Sequence, residues 1–144
     1  RILANAAGHE GICGGQQLDL EWEGRALTED ELHEIHLRKT SALIRAACLM
    51  GVAAAGGTQA QRDAAARYAD HFGYAFQIRD EKTFGKPIGS DREEGKTTFV
   101  DLLGLEKSQQ LVREHSALAA DALSVMADAG FLIHLVHALE ERDK

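Results

Sequence analysis

Four short polar stretches contain the residue types that chemistry on an anionic substrate would need. The first is Gly14–Asp19, in which Gln16 and Asp19 are three residues apart and therefore share one face of a helix. The glycines beside them would let a neighbouring helix or a ligand approach closely. A tightly packed helix with a polar edge is the alternative interpretation, and periodicity alone favours it.

The second stretch is Arg38-Lys39-Thr40, midway along a predicted helix whose other face is apolar. Lys39 could offer a compact positive charge to a phosphate group, with the Thr40 hydroxyl beside it. A solvent-exposed lysine is the alternative, and for a single lysine it is the more common outcome.

The third stretch, Phe76–Glu81, ends a predicted helix with an amide and two carboxylates. Gln77 lies three residues before Asp80 and four before Glu81, so the three side chains share a face. Two carboxylates at a helix C-terminus face the negative end of the helix dipole, and a bound Mg²⁺ ion would relieve that repulsion. An ordinary acidic helix end fits the same pattern.

The fourth stretch contains two lysines beside glycines, Lys86 and Lys96, which could approach an anion closely. Gly95-Lys96-Thr97 is not a nucleotide-binding P-loop, because Ser90 stands where the first glycine of that motif is required. His33-Glu34-Ile35-His36 is not a zinc motif, since its histidines are three residues apart and not four.

The elements that must position these stretches are predicted to be helices. Ala-rich runs alternate with Leu, Ile and Glu, the chain contains one proline, and no strand-like alternation persists. The polar stretch from Arg79 to Lys96 is predicted to be a loop. Three helices are predicted before this loop: a glycine-interrupted one over 1–21, one from a capping box at Thr28 to Gly56-Gly57, and one from a second capping box at Thr58 to Ile78. Three more are predicted after it: a short one through Phe99, one from Glu106 to Ala129, and one from Phe131 to Glu141.

Charge and composition exclude several classes of function. The formal net charge of −7 argues against a nucleic-acid-binding surface, which needs clustered Lys and Arg. No apolar run approaches the roughly 20 residues that span a bilayer, and no signal peptide is expected. The abrupt start at Arg1 suggests a fragment. Cys13 and Cys48 are expected to be reduced and buried, which is typical of a cytoplasmic protein.

In their order, the polar stretches resemble the second half of the trans-isoprenyl diphosphate synthases of the farnesyl or geranylgeranyl type. The sequence contains G-G-Q-x-L-D-L, a K-T within a helix, F-Q-I-x-D, G-K-P-x-G-S-D and G-K-T-T, at separations that fit that family. The similarity extends from about Gly14 to the end of the chain. It implies an all-α antiparallel helical bundle of the isoprenoid synthase type, with residues 1–144 forming a single domain that represents only its second half.

The resemblance implies a reaction as well as a fold. Enzymes of this family condense isopentenyl diphosphate with an allylic diphosphate, such as dimethylallyl or geranyl diphosphate, to make farnesyl or geranylgeranyl diphosphate. Three Mg²⁺ ions assist the ionisation of the allylic diphosphate, and the enzymes are homodimers. The 144-residue chain alone is expected to be inactive, because part of the site lies upstream in the family.

By position in the family motifs, five residues would act on the allylic substrate. Lys39 and Lys86 would contact its diphosphate, and Lys96 would add positive charge nearby. Thr40 and Gln77 would face the carbocation with their polar oxygens.

Three further residues would complete this half of the site, again by resemblance. Gln16 and Asp19 would line the cavity or support its wall, and Asp80 would be a Mg²⁺ ligand. The family motif reads D-D-x-x-D, whereas here Asp80 is followed by Glu81-Lys82 and soon by Gly85-Lys86. We therefore expect a short stretch to be missing between Asp80 and about Lys82.

The alternatives to an enzyme are a non-catalytic homologue that partners an active subunit and a plain helical interaction domain. The shortened motif after Asp80 would permit the non-catalytic homologue. The presence together of Lys39, Thr40, Gln77 and two downstream lysines favours catalysis, since a non-catalytic subunit has no evident need for that set.

Overall fold

The structure, a computed structural model, describes residues 1–83 and 97–141, and of residues 81–83 the backbone alone. Within these ranges every regular element is helical, as predicted. The elements are α1 (Ile2–Ala7), α2 (Ile12–Glu21), α3 (Glu29–His36), a π-helical turn (Leu37–Ser41), α4 (Ala42–Ala54), α5 (Gln59–Thr83), α6 (Phe99–Leu103), α7 (Leu105–Ala122), a 3₁₀ turn (Leu123–Val125) and α8 (Gly130–Glu141).

Both predicted capping boxes are formed. Thr28 Oγ1 accepts the Glu31 backbone N–H at 3.3 Å, and the Glu31 carboxylate accepts the Thr28 N–H at 3.0 Å. The same reciprocal bonds join Thr58 and Gln61, at 3.3 and 2.8 Å. Each box satisfies backbone donors that the first helical turn leaves without partners, so both helices start where the sequence predicts. Gly56, with a φ of 66°, follows the end of α4.

Two predicted boundaries before residue 84 are wrong. The helix predicted over 1–21 is two helices, because the backbone turns at Gly8–Gly11 between α1 and α2. The loop predicted from Arg79 starts too early, since α5 continues to Thr83. Charged side chains do not stop a helix, and the nearest strong breakers are Gly85 and Pro87.

The helix predicted from Glu106 to Ala129 is also too long. It ends at Ala122, passes through a 3₁₀ turn and becomes extended at Met126. Gly130 starts α8, and its N–H is accepted by the Asp128 carboxylate at 3.1 Å. This local side-chain bond offers the backbone an alternative to a continuous helix.

α5 is the central helix of the bundle. α4 runs antiparallel to it, with Arg45 Nη1 2.8 Å from Asp70 Oδ2. α8 runs parallel to it, since the Tyr68 hydroxyl donates to the Leu132 carbonyl at 3.2 Å and Arg79 donates to the Glu140 carbonyl at 3.0 Å. α7 packs along a further side of α5.

Two apolar clusters fix α5 in place. Around the C-terminal half of α5 lie Leu27, Leu32, Ile35, Tyr74, Ala75, Ile78, Phe99, Val112 and Leu139. Around its N-terminal half lie Tyr68, Ala69, Ala119, Ala122, Leu123 and Val136. Each large apolar side chain buried in this way stabilises the fold by about 1.5–3 kcal/mol. The first cluster therefore holds the end of α5 that carries Gln77 and Asp80.

The two cysteines differ in exposure. Cys48 is half-buried, but Cys13 is exposed, so the expectation that both are buried is wrong for Cys13. Gly15 is the buried residue of α2, and Cys13, two positions earlier, therefore points away from the packed face.

Among the described helices, none is both long and apolar enough to cross a bilayer.

Candidate active site

The candidate site is built around the π-helical turn Leu37–Ser41, where α3 passes into α4. A π turn widens the helix locally, and such turns are frequent at functional sites. This one contains Lys39 and Thr40. Lys39 reaches towards α2 and Thr40 towards α5, so one short turn contacts two neighbouring helices.

Two glycines allow α2 and α5 to pack closely on the π turn. A Cβ added at Gly15 would lie 2.5 Å from the Lys39 backbone nitrogen, and one added at Gly73 would meet the Ser41 hydroxyl. Ser41 is buried at 1% exposure and has little room to move. The close approach at Gly15 is the one that the glycine-rich sequence of α2 predicts.

The Lys39 ammonium is held by Asp19 of α2. Its Nζ lies 2.7 Å from Asp19 Oδ2, and both side chains are partly buried, at 36% and 19% exposure. A short bond between two charged groups is among the stronger hydrogen bonds in proteins. It fixes the position of the ammonium on the flexible lysine side chain. Gln16, one turn earlier on α2, is exposed.

Thr40 and Gln77 form a second pair. Gln77 Nε2 donates to Thr40 Oγ1 at 2.7 Å, and both side chains are half-buried. In this arrangement the Gln77 carbonyl oxygen and the Thr40 hydroxyl hydrogen have no further partner among the described residues. Both remain available to a ligand.

Asp80 is half-buried and lies three residues beyond Gln77 on α5, on a neighbouring part of the same face. Within residues 1–83 and 97–141 no three His, Cys, Asp or Glu side chains converge. Asp80 would contribute one carboxylate to a metal site. That fits Mg²⁺, which proteins commonly bind through one or two carboxylates together with substrate phosphates and water. Lys86, Lys96 and the Glu81 side chain lie outside what the structure describes.

An apolar cavity of about 660 Å³ lies between α4, α5 and α8. Ile44 and Cys48 line it from α4, Tyr68 and Phe72 from α5, and Leu132 from α8. Ile44 and Cys48 follow Thr40 by one and two helical turns, so the cavity extends along the helix from the Thr40–Gln77 pair. A hydrocarbon chain would find an apolar environment there.

Sequence reasoning missed Gly73 and the π turn. Gly73 gave a usable signal, because a glycine inside a long helix costs about 1 kcal/mol relative to alanine and so indicates a close contact. The π turn gave none, since Leu37–Ser41 fits the helical periodicity of its neighbours.

Comparisons with known proteins place this site in context. The family model described as Polyprenyl synthetase matches residues 2–128. The chain is 38% identical to farnesyl diphosphate synthase of Escherichia coli (strain K12) over 149 residues, which cover 96% of the chain and 50% of that protein. It is 35% identical to farnesyl diphosphate synthase of Geobacillus stearothermophilus, with 98% of the chain and 50% of that protein covered.

A solved structure agrees with these matches. An FPP/GFPP synthase from Zymomonas mobilis has a TM-score of 0.83 and 30% sequence identity, covering 96% of this chain and 48% of that one. The chain thus spans about half the length of the relatives it matches.

Proposed function

The chain belongs to the polyprenyl synthetase family, and we propose that the whole protein is a trans-prenyltransferase that makes farnesyl or geranylgeranyl diphosphate. It joins isopentenyl diphosphate to an allylic diphosphate such as dimethylallyl or geranyl diphosphate. The carrying observation is that one π turn presents Lys39 and Thr40, each fixed by a partner on another helix. This pairing provides a cation and polar oxygens above an apolar cavity.

Lys39 acts on the diphosphate of the allylic substrate. Negative charge grows on that group as it leaves, and a cation that is already in position stabilises the growing charge without reorganisation. The Asp19 carboxylate holds the ammonium at 2.7 Å and so limits the positions that the lysine adopts before substrate binds. Lys86 and Lys96 would contribute further positive charge.

Thr40 and Gln77 act on the other product of ionisation, the allylic carbocation. Their hydrogen bond fixes both side chains, and the oxygens stabilise the positive charge. The apolar cavity next to them would take the hydrocarbon tail and exclude water, which would otherwise capture the carbocation. Gln16 lies on α2, outside the residues that line this cavity, so a contact between Gln16 and the substrate stays a prediction.

Mg²⁺, with three ions in the complete site, would neutralise the diphosphate charge when bound. Asp80 would bind Mg²⁺ through its carboxylate, because it lies one turn beyond Gln77 at the same end of α5. We also propose that the protein is a cytoplasmic homodimer.

A short stretch missing between Asp80 and about Lys82 is part of the same proposal. The match to the Escherichia coli enzyme runs over 149 residues although this chain has 144. The matched region of that relative therefore includes positions without a counterpart here, which supports the proposal without locating them.

The alternative of a non-catalytic partner subunit is not favoured, because the relatives reported above are synthases and the paired polar residues are retained. Turnover by the whole protein tests this directly. With isopentenyl and geranyl diphosphate and Mg²⁺, we expect a C15 or longer diphosphate, and none when Mg²⁺ is chelated. A folded protein that yields no product with any allylic primer would contradict the proposal.

A further inference from the structure

His71 of α5 and His115 of α7 meet through their ring nitrogens. The two Nδ1 atoms are 3.2 Å apart, and the ring planes are inclined by 67°. Both side chains are half-buried. Tyr74 packs against His115 with a centroid distance of 4.5 Å, and His33 of α3 packs against Tyr74 at 4.3 Å. None of these residues belongs to the candidate active site.

The distance between the two nitrogens matches the spacing of two ligands on one metal ion. Zinc binds imidazole nitrogen at about 2.0–2.1 Å, so two nitrogens at a tetrahedral angle are about 3.3 Å apart. Without a metal, one ring must donate its Nδ1–H to the other, and the two rings need different tautomers. A metal between the Nδ1 atoms lets both rings keep the proton on Nε2.

The protonation state also suits metal binding, because histidine binds metals in its neutral form. Burial, together with the neighbouring His71 and His33, lowers the pKa of His115 to about 4. The ring is therefore neutral near pH 7, as a metal ligand must be.

We propose that His71 and His115 form a two-histidine site for Zn²⁺ or a similar divalent transition cation, which joins α5 to α7. In the part of the chain that the structure describes, no third His, Cys, Asp or Glu completes a cluster, and water would fill the positions that the two histidines leave open. The site is weaker than a structural zinc site with four protein ligands. Mg²⁺ does not compete for it, because Mg²⁺ prefers oxygen ligands.

Metal at this position would brace the helix that carries the candidate active site. Gln77 and Asp80 lie on α5 about two turns beyond His71. The proposal does not depend on the proposed function, because its test measures zinc binding and not turnover.

The test titrates Zn²⁺ into the whole protein, prepared without a histidine tag and kept in excess Mg²⁺, by calorimetry near neutral pH. Wild type should bind one more zinc ion per chain than either His71→Gln or His115→Gln, or bind it at least about tenfold more tightly. The matched control is His134→Gln, which changes an exposed histidine of α8 and should bind zinc as wild type does. Circular dichroism checks that each variant is folded.

A second measurement needs no variant. Nuclear magnetic resonance of the histidine rings should show that zinc converts one ring of the wild-type protein from the Nδ1–H to the Nε2–H tautomer, because only one ring of the pair donates from Nδ1 without the metal. The proposal is overturned if both variants bind zinc as well as wild type does, if wild type binds no zinc, or if zinc changes no ring tautomer.

Discussion

The Lys39 ammonium lies 2.7 Å from the carboxylate of Asp19, although the two residues are 20 positions apart and on different helices. Gly15 makes this possible, because it lets the backbone of α2 approach the backbone of Lys39. The carboxylate therefore determines where the positive charge is held before any substrate arrives.

Asp19→Ala should lower kcat of the whole enzyme by about 10–100-fold, because an unpositioned ammonium stabilises the leaving group less well. The matched control is Glu34→Gln. This substitution removes the carboxylate that lies 2.6 Å from the guanidinium of Arg38, the residue next to Lys39. It should leave kcat unchanged. Equal effects of the two substitutions would show that Asp19 has no special role. Steady-state kinetics with geranyl diphosphate gives the answer.

Lys39→Ala should have a larger effect on kcat, about 10²–10³-fold, because the cation itself is lost. Lys39→Arg should recover only part of the rate, since a planar guanidinium cannot take the place of a compact ammonium. Lys107→Ala, at an exposed lysine of α7, serves as the control and should behave as wild type. Lys39→Ala with wild-type turnover would remove this residue from the site.

Gly73→Ala should destabilise the protein by about 1–3 kcal/mol, because the new methyl group meets the buried Ser41 against the π turn. Gly51→Ala is the matched control, since it is also a glycine inside a helix but has nothing within 4 Å of the added carbon. It should stabilise by about 0.5–1 kcal/mol. Urea unfolding of both variants measures the difference. If Gly73→Ala is as stable as Gly51→Ala, the close contact at the π turn is absent in solution.

The histidines between α3, α5 and α7 should make stability depend on pH. Burial and the neighbouring His71 and His33 lower the pKa of His115 from 6.5 to about 4. The unfolded chain therefore binds a proton at His115 at a higher pH than the folded protein does. The contribution of the neutral His115 to the free energy of unfolding is complete above about pH 6.5 and is lost as the pH falls towards 4. Burial and His36 lower the pKa of His33 too, in the same direction.

With zinc chelated, the free energy of unfolding of wild type should fall more between pH 7 and pH 4.5 than that of His115→Gln. Stability is also lost in a second, more acidic pH range, because the hydrogen bond from Arg25 lowers the pKa of Glu31 from 4.5 to about 2. Stability from Glu31 is present above pH 4.5 and is lost below it. Identical pH dependence of wild type and His115→Gln above pH 4.5 would contradict the predicted loss of stability through His115.

The sequence predicted a helix boundary correctly where the residues that determine it lie close together along the chain. The capping boxes at Thr28 and Thr58 involve side chains three residues apart, so the sequence alone located both helix starts. The end of α5 was misplaced, because the polar residues after Ile78 are as compatible with a helix as with a loop. The all-α fold followed from composition and periodicity.

The site itself could not be derived from spacing. Single polar residues such as Lys39 and Gln77 pointed more readily to ordinary surfaces, and only the order of the motifs singled them out. Their pairing with Asp19 and Thr40 depends on the packing of three helices. The same holds for His71 and His115, which are 44 positions apart and meet only because of the register between α5 and α7. The roles of Lys86 and Lys96 stay predictions.

We propose that one π turn presents Lys39 to the leaving diphosphate and Thr40 to the carbon that it leaves. A crystal structure of the whole protein with Mg²⁺ and a thiolo analogue of geranyl diphosphate, whose C–S bond ionises slowly, tests it most directly. We expect Lys39 Nζ at about 2.7–3.2 Å from a diphosphate oxygen, with the Thr40 and Gln77 oxygens facing the first carbon of the hydrocarbon chain. An analogue bound elsewhere, with Lys39 still paired to Asp19 alone, would contradict it.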